Sequence, residues 1–116
     1  DTKGNILLDE WFKWIDDFQD GFARVQRTNG EVNFIDTKGN ILSEQWFEKA
    51  FDFNEGFAVV KNKDYVYNFI NKQGKILSDE WFIDACYLDD GFTVVKRANG
   101  EWCQIDKSGK LIKILQ

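Results

Sequence analysis

The chain has 116 residues, of which 43% are hydrophobic, 16% aromatic and 30% charged, with a formal charge of −5; that much apolar side chain excludes a disordered tail, and a field that repels phosphate backbones and anionic bilayers excludes nucleic acid as a partner. No apolar run approaches the roughly 20 residues of a membrane-spanning helix, so no membrane span is expected and the chain reads as soluble. With no His, nucleophilic catalysis by a His-assisted Ser or Cys is excluded in its usual form, and with no Met the natural start is read as missing, any targeting signal with it.

Taken in chain order, the first element is the step Asp1-Thr2-Lys3-Gly4, with the residue types of a type I turn: Asp or Asn at the first position and Gly at the fourth. It is followed by the apolar residues Ile6 and Leu7, so it reads as a hairpin loop between antiparallel strands. The stretch from Asp9 to Phe18 is ambiguous. Trp11, Ile15 and Phe18 have the i, i+4, i+7 spacing of a helical face, yet the stretch is short, and we expect one helical turn and then a short extended piece. Asp20-Gly21 then marks a kink, and FARVQR reads as a strand that turns at Asn29-Gly30, a strong hairpin signal, into EVNFI.

The same series begins again at Asp36 and at Asn71 without a gap, and DKSGKLIKILQ from Asp106 begins it once more. The chain is therefore three copies of a 35-residue unit (1–35, 36–70, 71–105) and a partial fourth (106–116), forming a single repeat domain. Nine columns are identical in all three full copies, and they are glycine or apolar, so what recurs is scaffold. The middle copy departs at the second hairpin, where Asp64-Tyr65 stands in place of Asn-Gly. Each copy supplies about three antiparallel strands. Phe22 and Val25, both recurrent, have opposite parity on their strand, so both faces are apolar and each copy must be covered by a neighbour. The expected fold is mainly β, an open stacked array of three antiparallel β-meanders plus a partial fourth. The alternative is a closed threefold ring, β-trefoil-like or propeller-like; the tail argues against it, because DKSGKLI duplicates an element the chain already has at its start.

With these columns aligned, the chain resembles the WG-repeat family of bacterial proteins, whose units carry a pattern like F-x-E-G-x-A-x-V followed by W-G-F-I-D-x-x-G-K. FNEGFAVVKN, DFQDGFARV and LDDGFTVV match its first half, and NFIDTKGNIL, NFINKQGKIL and QIDKSGKLI its second. The namesake pair is Val32-Asn33, Tyr67-Asn68 and Trp102-Cys103 here, so only Trp102 keeps the Trp and no copy keeps the Gly. The resemblance implies a β-rich repeat module, often strung in larger proteins, without an established enzymatic activity.

No constellation of reactive groups adds up to a catalytic centre, a metal site or a cofactor site. The acidic pairs Asp9/Glu10, Asp16/Asp17 and Asp89/Asp90 suit solvated faces and turn starts better than glycoside chemistry, and DTKGN lacks the alternating oxygen ligands of a calcium loop. Cys86 and Cys103 are confined to the third copy and are read as ordinary thiols, with a disulfide between them as the alternative. The expectation is no enzyme, no metal and no cofactor, but a repeat module of a longer protein whose partner is another protein, or alternatively a glycan. Function should lie where the copies differ. Trp14, Phe51, Tyr65 and Tyr87 stand where other copies have Lys, Asp, Cys or Gly, and these four are the candidate binding residues.

Overall fold

The computed structural model describes residues 12–86 and 90–115 of the chain. Among them are ten strands and no helix: β1 (Phe12–Ile15), β2 (Phe22–Arg27), β3 (Val32–Asp36), β4 (Lys49–Asn54), β5 (Phe57–Lys61), β6 (Tyr67–Asn71), β7 (Asp84–Ala85), β8 (Phe92–Lys96), β9 (Trp102–Asp106) and β10 (Leu111–Ile114). They form three antiparallel meanders, β1-β2-β3, β4-β5-β6 and β7-β8-β9-β10. The sheets follow one another along a body of 49 × 26 × 20 Å and do not close into a barrel, so the array is open.

The turns follow from the backbone each glycine permits. At Asp20-Gly21, Glu55-Gly56 and Asp90-Gly91 both residues have positive φ, which is the two-residue type I′ hairpin turn. The expected kink is therefore a hairpin joining β1 to β2, β4 to β5 and β7 to β8. The D-x-x-G step is a type I turn as expected: the Gly39 amide donates to the Asp36 carbonyl and the Asp36 amide to the Asn40 carbonyl, both at 3.0 Å. Asn29-Gly30 closes a three-residue loop of the same kind, with only the Gly at positive φ.

The helical turn expected in the Trp-Phe segment is absent from both described copies, at 43–48 and 78–83; the extended piece after it is present as β4 in the one and β7 in the other. A bulge in β4 accounts for the misleading periodicity. Ala50 lies opposite Val60 and Phe53 opposite Ala58, so three residues on one strand advance only two on the other. That extra residue returns Ala50 and Phe53 to the same buried side, which a spacing of three would otherwise forbid in a strand. In the first and third copies, Trp11 and Leu88, members of the same triads, lie outside the described residues.

Apolar residues of opposite parity face opposite neighbours, as the two-sided pattern requires. In β5, Val60 packs with Val32, Phe34 and Phe47 in the core between the first and second sheets, whereas Val59 packs with Phe82, Val95 and Ile105 between the second and third. Ile70 and Phe69 of β6 divide in the same way. The first of these cores also carries an aromatic cluster, with Phe53 stacked on Phe22 at 5.0 Å and edge-on to Phe34 at 4.9 Å.

The structural unit is out of phase with the sequence repeat. After the D-x-x-G turn the chain doubles back on the sheet it has just left: Ile41 bridges Ile35 and Phe47 bridges Val32, and in the next copy Ile76 bridges Ile70 and Phe82 bridges Tyr67. Each copy thus supplies the outer edge of its predecessor's sheet before starting its own.

Candidate functional site

Cationic and aromatic residues collect where each sheet turns from its middle to its third strand, and the first two of these turns meet, with Lys63 Nζ 3.2 Å from Glu31 Oε2. In the first sheet Trp14 of β1 lies directly opposite Gln26 of β2, so the two side chains share a face. In the second sheet Lys61 occupies the Gln26 column, with its Nζ 4.8 Å from the ring centroid of Tyr65 and 5.8 Å from that of Tyr67. In the third sheet Lys96 occupies it, 5.7 Å from the ring of Trp102. Lys61 and Lys96 lie opposite Tyr67 and Trp102 in the strand ladder, which holds each ammonium beside the aromatic face that attracts it. Nearby, the Arg27 guanidinium lies 3.6 Å over the Trp46 ring.

Tyr65 is the most exposed large apolar or aromatic side chain of this stripe, at 63%, and its backbone has φ 63°. It stands in the column of Gly30 and Gly100, whose φ values of 94° and 90° only glycine adopts without cost. The loop is built without glycine by moving its anchor: Asn62 Oδ1 accepts the amides of Asp64 and Val66, as Asn71 Oδ1 accepts those of Gln73 and Lys75 in the next turn. An aromatic residue is thereby held in a left-handed conformation that glycine fills at the equivalent positions.

Trp14, 41% exposed, lies opposite Gln26 beside the β2–β3 turn of the first sheet, and Tyr65 lies in the equivalent turn of the second. Phe51 is placed differently. It is half-buried at the boundary between the second and third sheets, packed against their shared core. Tyr87 lies outside the described residues. What a search for copy-specific aromatics misses is Lys61, Lys96, Tyr67 and Trp102. The legible signal was cross-strand: a Lys six residues before an aromatic, across a hairpin, in the second and third copies.

Charge at the neighbouring hairpins is arranged between copies. Glu55, at the tip of the β4–β5 turn, accepts the amides of Asp90 and Gly91 at 2.9 and 3.1 Å, tying the tip of the second sheet to that of the third. Those amides, with Lys107 nearby, hold its carboxyl below the usual glutamate value. Asp16 is held low in the same way by the Arg24 side chain, which it meets at 2.7 Å. Both cysteines are free thiols, Cys86 exposed and Cys103 buried, and burial raises the Cys103 pKa. Among the described residues no three His, Cys, Asp or Glu side chains group as metal ligands, and no helix is long and apolar enough to cross a membrane.

The family model of the WG containing repeat matches residues 1–30 and 34–67. No curated protein matches the chain. Among solved structures, BamB from Moraxella catarrhalis is similar with a TM-score of 0.51 at 16% identity, over 86% of this chain and 33% of that one. The computationally designed Ika4 protein is similar with a TM-score of 0.50 at 15% identity, over 86% of this chain and 69% of that one. The designed Ika8 protein has a TM-score of 0.49 at 16% identity, and this chain spans 36% of its length. For BamB and Ika4, at such identities, the likeness is one of fold.

Proposed function

The chain belongs to the WG-containing-repeat family, and from that premise we propose that it is a non-catalytic module that binds another protein through the cation–aromatic stripe at the hairpin ends of its sheets. The observation that carries this reading is Tyr65, an exposed aromatic in the left-handed conformation that glycine fills in the two equivalent loops. A residue held against its backbone preference at a surface loop costs stability without repaying it in packing, which supports a role in recognition. Tyr67 shares Lys61 with it, and Trp14 and Trp102 stand beside the equivalent turns of the other sheets, rigid amphipathic anchors of the kind that dominate protein interfaces, with Lys61 and Lys96 to orient an acidic or polar partner.

The test is capture of partners from a lysate on immobilised protein, identified by mass spectrometry, comparing the wild type with a Trp14→Ala/Tyr65→Gly double variant. The expected result is a specific protein captured by the wild type and lost from the variant while the variant stays folded. Equal capture by both, or a glycan array that lights up in place of any protein, would sink the reading.

A further inference from the structure

The three sheets end in edges that are sealed in two cases and open in the third. Asn33 and Asn68, both buried, donate through Nδ2 to carbonyls of the edge that follows, at Ser43 and Gln45 in the first sheet and at Ser78 and Glu80 in the second. The third sheet has Cys103 in that column and ends in β10, with no strand beyond it among the described residues. There Leu111, Ile112, Ile114 and Leu115 are 45–51% exposed, an apolar patch on one short strand. The backbone is open as well. The Leu115 amide donates to the Trp102 carbonyl at 2.8 Å, so by the alternation of an antiparallel ladder its neighbour Ile114, opposite Cys103, turns its own N–H and C=O away from the sheet. Neighbouring copies stack face on face, with Val60 and Val59 of β5 in different cores, so stacking covers faces and leaves this edge unpaired. The edge is also basic. Lys107, Lys110 and Lys113 are the only charged residues after Asp106, in a chain whose formal charge is −5. Lys107 leans to Glu55 at 3.8 Å, whereas Lys113 has no ion pair among the described residues.

We propose that β10 takes up an extended segment of the partner protein as a further strand, one in which apolar residues alternate with glutamate or aspartate. The outward N–H and C=O of Ile114 call for another main chain, which supplies an acceptor and a donor at strand spacing. The alternation follows from the two faces of the edge. Leu111 and Ile114 lie opposite Ile105 and Cys103 and share their face, the bulge between Leu111 and Lys113 keeping both on one side, whereas Lys113 lies opposite Gln104 on the other. An added strand therefore meets apolar side chains on the first face and an ammonium on the second. Lysine and a bulge are devices that keep edge strands from pairing with their own kind. Lys113 thus disfavours the β10 of a second copy, and the same charge attracts a carboxylate. β10 adjoins the cation–aromatic stripe through Trp102, so the strand site deepens the protein-binding reading and rests on it.

The experiment follows the fluorescence anisotropy of a labelled peptide of about seven residues, alternating valine and glutamate and capped at both ends, as the chain is added. A valine–lysine peptide, and one of the first composition with its glutamates grouped, are the comparisons. The alternating valine–glutamate peptide is expected to bind with a Kd of about 0.1–1 mM, about tenfold tighter than either comparison, and to slow hydrogen exchange at the Ile114 amide. Ile114→Pro removes an amide that β10 does not use in its own ladder, so it should weaken the peptide about tenfold and leave the thermal midpoint nearly unchanged. Lys113→Glu should exchange the preference, losing the glutamate peptide and gaining the lysine one. Equal binding of either comparison peptide, unaltered affinity in a folded Ile114→Pro, or a preference that Lys113→Glu leaves in place would each overturn the strand site. So would a dimer of the chain that Ile114→Pro dissolves, which would assign the edge to a second copy. If Ile114→Pro fails to fold, the exchange in Lys113→Glu decides. Partner capture that survives Ile114→Pro and Lys113→Glu but not the Trp14/Tyr65 double variant would leave the stripe standing and the strand site refuted.

Discussion

The outer edge of the first two sheets and the outer edge of the third are built from the same columns, and they take different shapes where the residues that capture the edge differ. In the first sheet Asn33, wholly buried, donates through Nδ2 to the carbonyls of Ser43 and Gln45 at 2.8 and 3.2 Å and accepts the amides of Phe34 and Ser43 at 2.7 and 3.3 Å. Asn68 makes the matching four bonds to Ser78, Glu80 and Phe69 in the second. One amide thus meets the polar groups of a loop that would otherwise be buried without partners, and the edge strand breaks so that Trp46 and Trp81 pack back on the core that precedes their edge, whereas Phe47 and Phe82 enter the core that follows it. In the third sheet the column holds Cys103, which cannot bond four groups, and Lys113 replaces the serine. There the edge runs on as the strand β10, with a bulge between Leu111 and Lys113, Ile114 opposite Cys103 and the Leu115 amide donating to the Trp102 carbonyl at 2.8 Å. A buried polar residue in a repeat can therefore be an instruction to the backbone of the next segment.

The largest effect is expected where the captured loop meets the following copy. A methyl group on Gly74 would collide with the carbonyl of Leu42, the residue that enters the captured loop, and Gly74 sits at φ +83° besides. The backbone cannot move away without releasing the loop, so Gly74→Ala should cost about 3 kcal/mol or more in urea unfolding. Gly56, at φ +87° but with nothing within 4 Å of an added methyl, is the matched control; Gly56→Ala should cost only about 1 kcal/mol. Equal costs would mean that the close approach between copies contributes nothing.

The capture itself is broken by Asn68→Cys, which gives the second sheet the residue of the third. Four hydrogen bonds of a buried side chain are lost and two carbonyls lose its Nδ2 donor, an expected loss of about 2–3 kcal/mol. Hydrogen exchange should rise first at the amides of Phe69 and Ser78, which the side chain of Asn68 accepts. A variant as protected and as stable as the wild type would show that the loop is held by Trp81 and Phe82 alone.

Much of this architecture was legible in the residues. The copies, the glycine turns and the two-sided apolar pattern together required stacked antiparallel meanders, because each is a local rule repeated three times. What could not be read was long-range or compensatory. The bulge in β4 disguised a strand as a helical face, since it shifts parity by one residue without changing composition. Asn33 and Asn68 looked like degraded namesake glycines until their partners ten and twelve residues on were seen. Asking where the copies differ picks out Trp14 and Tyr65, which are exposed, and equally Phe51, which is half-buried. A copy-specific aromatic can serve a boundary between copies as readily as a surface.

A smaller change, of opposite sign, is expected at Tyr65. Tyr65→Gly restores the residue of Gly30 and Gly100 at a position with φ 63°, and should stabilise the chain by about 1 kcal/mol. Lost stabilising contacts with Lys61, 4.8 Å from the ring in an exposed setting, offset only part of this. A destabilised variant would mean that the loop depends on the aromatic ring, and the case for strain retained for recognition would fail.

The smallest effect separates the three turns that lead into these edges. Asp36 and Asp106 accept amides and side-chain donors in their own turns, the Asn40 amide first for the one and the Ser108 hydroxyl first for the other, and both carboxyls are held below the usual aspartate value of 3.8. A carboxyl with a depressed folded pKa contributes stability that is present above its unfolded value and is lost as pH falls through the folded one. That contribution should therefore fade below about pH 4. Asn71 fills the same column in the turn between them and accepts the Gln73 and Lys75 amides at 2.9 Å without titrating. Asp36→Asn/Asp106→Asn should then keep the turns, leave the thermal midpoint at pH 7 nearly unchanged and flatten its decline between pH 4 and pH 2. The decline should persist in part, because Asp16, Glu31 and Glu55 are held low by partners of their own. An acid limb as steep as that of the wild type would place the proton-linked stability of the array in those bonds, the Glu55 tie between hairpin tips among them, and not in the turns that bring each edge back to its sheet.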